Sequence, residues 1–136
     1  MVQPLSRVPD NERNEVSNVY TTQYETAELL ELPGRDVRIY IGTDKSTCPV
    51  KSDHMTMGLT TVPAHSDMMP HTHFSEEEII FILEGEGEVI VGGGCEPLKP
   101  LVAVKFPLGV EHQVRNTGST EMRFVFMFNP VFTFGK

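Results

Sequence analysis

The stretch Pro70–Gly87 reads PHTHFSEEEIIFILEGEG. His71 and His73 are separated by one residue, three glutamates follow at 76–78, and an apolar run then ends in an acidic, glycine-rich turn. In a β-strand residues two apart share a face, so the two imidazoles point the same way and can chelate one metal. Glu78 starts the next strand after a short turn and can swing beside them. Ile80 and Ile82 share its face, while Ile79, Phe81 and Leu83 fill the other. With both faces apolar, this strand is expected to be central and buried. An ionised glutamate at its start then needs a compensating charge, which a divalent cation supplies.

A second segment, PLGVEHQVRN at Pro107–Asn116, carries a Pro-Leu-Gly turn followed by His112. If it lies beside the first, His112 becomes a third imidazole. The ligand set is then His71, His73, Glu78 and His112. Mixed nitrogen and oxygen ligation suits one divalent transition metal (Fe, Mn, Ni, Co or Zn) better than calcium or magnesium. Glu77 is a rival ligand one position earlier. Glu76 and Glu77 otherwise read as solvated turn charges.

Around these segments the signals are mostly β. Val37, Ile39 and Ile41 of DVRIYIG alternate with Arg38 and Tyr40. Further short strands are expected within 54–62, 78–83, 88–91, 101–106, 112–115 and 121–128, separated by Gly-, Pro- and Asn-rich turns. Glu84–Glu88, EGEGE, is a hairpin turn with the wrong charge for a phosphate loop. Only Thr26–Leu32 is a candidate helix, ended by Pro33. Many short strands predict an all-β sandwich or barrel. Residues 1–18 read as a polar N-terminal arm, and 19–136 as a single domain. Met55, Met57 and Leu59, and Phe124, Phe126 and Phe128, read first as core, with the phenylalanines as a possible pocket wall.

The chain has 136 residues, enough for one domain with its own core. Its net charge of −8 argues against nucleic-acid and anionic-membrane partners. The polar start lacks a signal-peptide core, and Cys48 and Cys95 form no CxxC pair. A cytoplasmic location with two free thiols is expected.

The two segments together resemble the cupin family. Its first motif is Gly, five residues, His-x-His, three or four residues, Glu, six residues, Gly; His71, His73, Glu78 and Gly85 fit it. Its second is Gly, five residues, Pro-x-Gly, two residues, His, three residues, Asn; Pro107, Gly109, His112 and Asn116 fit it. The resemblance implies a small antiparallel β-barrel (a double-stranded β-helix) with the four ligands pointing inward. The leading glycine of each motif is replaced, by His65 and by Leu101. The turns before those strands are therefore expected to be built differently.

Cupins include dioxygenases, decarboxylases, isomerases and lyases, as well as sugar sensors and storage proteins. Four retained ligands favour an enzyme acting on a small organic substrate, with oxygen-dependent dioxygenase chemistry first. A lyase or isomerase working through an enediolate is the alternative, with Tyr40 or His54 as catalytic base. A non-catalytic binding protein is the third reading. Arg38 or Arg123 is the candidate carboxylate clamp, and His65 reads as a loop residue. Met55, Met57, Met68 and Met69 near the site weigh mildly against oxidants. The resemblance also implies a homodimer, with residues from about Val16 to Ile41 against the partner's sheet.

Overall fold

The computed structural model describes residues 19–134. The polar arm expected over 1–18 lies outside the described residues. Eleven strands follow: β1 Glu28–Leu32, β2 Arg35–Gly42, β3 Val50–Lys51, β4 Thr56–Val62, β5 Ser66–Asp67, β6 Glu77–Glu84, β7 Gly87–Val91, β8 Gly94–Leu98, β9 Ala103–Phe106, β10 His112–Asn116 and β11 Met122–Asn129. They form two facing sheets. The larger runs β1-β2-β4-β11-β6-β9, with β3 on β2, and the smaller runs β5-β10-β7-β8. All pairs are antiparallel except β2–β3. The fold is the all-β architecture expected from the many short strands.

The core lies between the sheets. Phe124, Phe126 and Phe128 of β11, Ile80 and Ile82 of β6, and Val114 of β10 are all buried there. Phe126 is opposite Gly58 in β4. A Cβ at Gly58 would come within 2.5 Å of the Phe126 ring and 2.2 Å of the Arg38 carbonyl, so only glycine leaves room for that ring. After β11 the chain turns through a cis Asn129–Pro130 bond and returns over the core. Thr56 pins the return: its hydroxyl donates to the Phe132 carbonyl (3.1 Å) and accepts from the Phe132 amide (2.9 Å).

Several expectations are corrected. Thr26–Leu32 is not helical; Glu28–Leu32 forms β1, because its alternating side chains and the Pro33–Gly34 turn suit a hairpin to β2, with Leu32 opposite Arg35. Gly34 takes φ +78° there, as the second central residue of a proline-led turn requires. A bulge against β4 between Ile39 and Ile41 breaks the alternation, so Val37 and Ile39 are buried but Ile41 sits opposite Met57 instead. In β4 the inward residues are Thr56, Gly58, Thr60 and Val62, and Met57 and Leu59 lie on the other face. Strand β6 is central within its sheet, yet only its Ile80–Ile82 face is buried. Ile79, Phe81 and Leu83 remain 43%, 38% and 46% exposed, because no second layer among the described residues covers the outer face of the larger sheet. Strands β3, β5 and β8 were not legible as strands; β8 contains Pro97 and tolerates it as an edge strand.

The turns at His65 and Leu101 also differ from expectation. They are not rebuilt: His65 takes φ +54° and Leu101 φ +74°, the left-handed conformation that glycine takes most easily. Backbone hydrogen bonds hold both in place. The His65 amide donates to Gly118 O (3.1 Å), and the Leu101 amide donates to Ile82 O (2.8 Å). Gly118 is itself fixed by Asn116, whose buried side chain accepts from the Gly118 amide and donates to the Val62, Pro63 and Thr120 carbonyls.

Candidate metal centre

The two sheets each contribute to one cluster. His112 opens β10, and a β-bridge joins it to His71: each residue's amide donates to the other's carbonyl, at 3.0 and 2.9 Å. His73 follows two residues on. Glu78 comes from the larger sheet, in a cross-strand row running Thr56, Phe128, Glu78, Phe106. One ligating atom from each of His71, His73, Glu78 and His112 lies within 4.8 Å of all the others. Glu77 faces the opposite side of β6 and pairs with Lys105 at 3.2 Å. Glu76 is half-buried, with Oε1 4.0 Å from His73 Nδ1, so it is closer to the cluster than a solvated turn charge would be.

The imidazoles are oriented from behind. His71 Nδ1 lies 2.9 Å from the Met69 carbonyl and His112 Nδ1 3.2 Å from that of Val110. Those partners assign the proton to Nδ1 and leave each Nε2 as a free lone pair. Phe106 stacks on His112, ring centroids 3.9 Å apart and planes 10° apart. Phe128 and Phe132 meet the His73 ring edge-on at 5.0 and 5.1 Å.

The electrostatics fit a cation. Glu78 Oε1 stands 3.3 Å from His112 Nε2 and 3.5 Å from His73 Nε2. These separations exceed ordinary N–H···O lengths, and all three buried atoms lack a hydrogen-bond partner among the described residues. Buried polar atoms are rarely orphaned, so three converging on one point fit a bound ion. Burial pushes the Glu78 carboxyl up, while an N–H or positive charge on the His112 and His73 rings pulls it down, and the net direction is below its ordinary value. Burial likewise lowers His71, partly opposed by its bond to the Met69 carbonyl, which keeps it in the neutral, ligating form.

A cavity of about 290 Å³ opens beside the cluster, with His71, His73 and Glu78 in its wall. Phe124, Phe126, Phe128, Phe132 and Phe134 line it, with Leu32, Pro33 and Met68 as its other apolar residues. The first three thus serve as both core and pocket wall. Arg35 and Thr60 are its other polar side chains.

Neither candidate base reaches it. Tyr40 sits at the β2 bulge outside the cavity lining, and burial pushes its phenol up, away from a base at neutral pH. His54 precedes β4 in an exposed bend, with its amide bonded to Ser52 Oγ. The arginine expectation is corrected too. Arg38 stacks over the Tyr24 ring at 3.8 Å, and Arg123 pairs with Glu84 at 3.2 Å. Arg35 is the arginine that lines the cavity. It was missed because it sits in PGRD, which reads as a surface turn; the signal that could have found it is its parity with Val37 and Ile39. His65 is an exposed loop residue, and both cysteines are free thiols. Among the described residues no helix is long and apolar enough to cross a membrane.

A sequence model of the cupin domain matches residues 58–128, and the chain belongs to the cupin family. It is similar to the polyketide synthase CurC of Streptomyces cyaneus (32% identical over 75 residues, 55% of this chain and 49% of that protein). It is also similar to the L-ectoine synthase of Aliivibrio fischeri (30% over 86 residues, 62% of this chain and 67% of that protein). The chain spans about half the length of CurC and of SchB from Streptomyces halstedii, which covers 54% of its own length in the match. Among solved structures, KdgF from Halomonas sp. superposes with a TM-score of 0.70 at 16% identity, covering 85% of this chain and 96% of that one. A predicted oxalate decarboxylase from Thermotoga maritima superposes with a TM-score of 0.64 at 21% identity, covering 81% and 98%. At these identities the two structures establish the fold alone.

Proposed function

We propose that this protein is a metal-dependent enzyme acting on a small organic molecule held in the cavity. His71, His73, Glu78 and His112 hold one divalent transition metal. The observation that carries this reading is the orphaned trio His73 Nε2, Glu78 Oε1 and His112 Nε2, buried and aimed at one point. Three nitrogens and one carboxylate oxygen suit manganese, iron, cobalt, nickel or zinc. When bound, such a metal polarises a coordinated carbonyl or hydroxyl and, if redox-active, supports oxygen chemistry.

The chain's own residues bind and orient. The phenylalanine wall excludes water and accepts an apolar body. Phe106 fixes the plane of His112, and the Met69 and Val110 carbonyls fix the tautomers of His71 and His112.

Oxygen-dependent cleavage of an enolisable or phenolic substrate is the favoured reaction. Among the described residues the cavity lining offers no acid or base besides the cluster and Arg35. A lyase or isomerase that shuttles a proton needs such a group. The similarity to L-ectoine synthase, whose name describes a synthesis, supports non-oxidative chemistry as the second reading.

Protein loaded with iron, manganese or zinc is incubated with a panel of small phenols, diketones and their carboxylates while oxygen is monitored. Steady oxygen uptake with iron or manganese and none with zinc supports the first reading. Turnover in the absence of oxygen supports the second. Tight binding with no turnover under either condition makes the protein a binding module.

A further inference from the structure

Arg35 is the first residue of β2 and continues the inward-facing row of Val37 and Ile39. It lines the same cavity as His71, His73 and Glu78. Its one side-chain hydrogen bond among the described residues is Nη1 to the Pro33 carbonyl at 3.4 Å, too long to be strong. A guanidinium carries five N–H donors, so most of its capacity is free to meet something in the cavity. No carboxylate of the described residues lies within ion-pair distance of it.

The charge balance of the site points the same way, and here the inference rests on the metal reading above. A divalent ion more than neutralises the single carboxylate of Glu78, and Arg35 adds a further positive charge. The cavity is then cationic inside a protein of net charge −8. Such a pocket is complementary to an anion. The rest of the wall is phenylalanine, Leu32, Pro33, Met68 and Thr60. A planar guanidinium fork matches the two oxygens of one carboxylate. A phosphate would leave further charged oxygens against phenylalanine rings, at a large desolvation cost.

We propose that Arg35 anchors a carboxylate group of the ligand, so that the site takes small carboxylates with an apolar or aromatic body. The cavity of about 290 Å³ lies at the lower end of the range for small-molecule sites, roughly 300–1,000 Å³. One acid group and one ring-sized body fill it.

Calorimetric titration of zinc-loaded protein with benzoate, phenylacetate and cinnamate, and with the three corresponding amides, tests this. Metal content is measured on the same samples. Wild-type protein is expected to bind at least one acid more tightly than its amide. Arg35→Gln should keep its metal and bind that acid at least about tenfold more weakly, with amide binding unchanged. Arg35→Lys should recover part of the loss. The proposal is overturned if none of the acids binds wild type, if Arg35→Gln binds the acid as wild type does, or if acid and amide weaken equally. Arg35-dependent acid binding by a protein that holds no zinc would sustain the anchor and remove the metal reading. Full zinc loading with Arg35-independent binding would do the reverse.

Discussion

His112 Nε2 and Glu78 Oε1 face each other at 3.3 Å although they belong to different sheets. Neither sheet builds the site alone. The smaller sheet aligns His112 with His71 through their β-bridge, and the larger delivers Glu78 between Phe128 and Phe106. Closing the sandwich therefore brings the ligands together, and a bound cation would supply the charge that two buried imidazole nitrogens and one carboxylate oxygen face.

That arrangement distinguishes two adjacent glutamates. Glu78→Gln keeps the side-chain shape and removes its charge, and metal affinity should fall at least about tenfold. Glu77→Gln removes only an exposed partner of Lys105, a pair worth about 1 kcal/mol or less. Its metal affinity should match wild type in a competition assay with a chromophoric chelator. The opposite order would make Glu77 the ligand.

Metal affinity should also depend on pH in a defined window. Burial holds His71 below its ordinary value of 6.5, so its neutral form persists to lower pH than in an exposed histidine. A lowered pKa moves the onset of proton competition downward. Glu78, likewise held low, stays ionised across the same range. Affinity should fall between about pH 6.5 and 5 as imidazoles protonate. Chelator competition over that range measures it, and a constant affinity down to pH 5 would contradict histidine ligation.

The left-handed residues His65 and Leu101 should respond to glycine. Both side chains are exposed, Leu101 at 75%, so truncation removes little packing. Relief of the left-handed strain exceeds the added flexibility of the unfolded chain. Leu101→Gly should stabilise by roughly 1 kcal/mol, which is a Tm rise of roughly 3 °C. His65→Gly should gain less, because histidine tolerates this region better than leucine. Thermal denaturation checks both, and a lower Tm for Leu101→Gly would show that its side chain holds the turn.

Those two turns mark how far the sequence could be read. The ligands were legible because motif spacing acts on neighbouring residues: His71, His73, Glu78 and His112 sit at the positions that the resemblance to the cupin motifs implies, although His71 and His73 lie outside any named strand. The His65 and Leu101 conformations were not, because they are imposed by partners far along the chain, Gly118 and Ile82. The same holds for Tyr40 and His54. Tyr40 is displaced by a bulge whose cause is pairing with β4, and His54 ends up before the strand that was expected to carry it. The contribution of Phe132 and Phe134 to the cavity wall was hidden for a related reason. Phe132 and Phe134 follow Pro130 in an irregular tail, which the hydrogen bonds of Phe132 to Thr56 and the packing of both rings on Phe128 hold against the core.

The homodimer expected from the sequence is carried forward as a proposal on the exposed outer face of the larger sheet. Two cross-strand rows, Leu59–Val125–Phe81 and Met57–Met127–Ile79, make that face apolar. Contiguous exposed apolar surface of this kind marks an interface, and a second copy of the chain packed on the same face is the proposed cover; the expected placement of the 16–41 segment on the partner's sheet is corrected for its described part, because β1 and β2 pair within this chain's own larger sheet. Light scattering should give twice the monomer mass at micromolar concentration, and Phe81→Glu should halve it while metal content is unchanged. A monomeric wild type, or a Phe81→Glu variant that stays dimeric, would remove the proposal.

The most direct measurement is the metal content of protein purified without added metal and then reconstituted with a single divalent ion. We expect a metal-to-protein ratio near one for wild type and for Tyr40→Phe and His54→Ala. We expect loss of most bound metal in each of His71→Ala, His73→Ala and His112→Ala, with circular dichroism confirming that each variant is folded. A ratio near one surviving all three histidine substitutions would contradict a metal centre at this site.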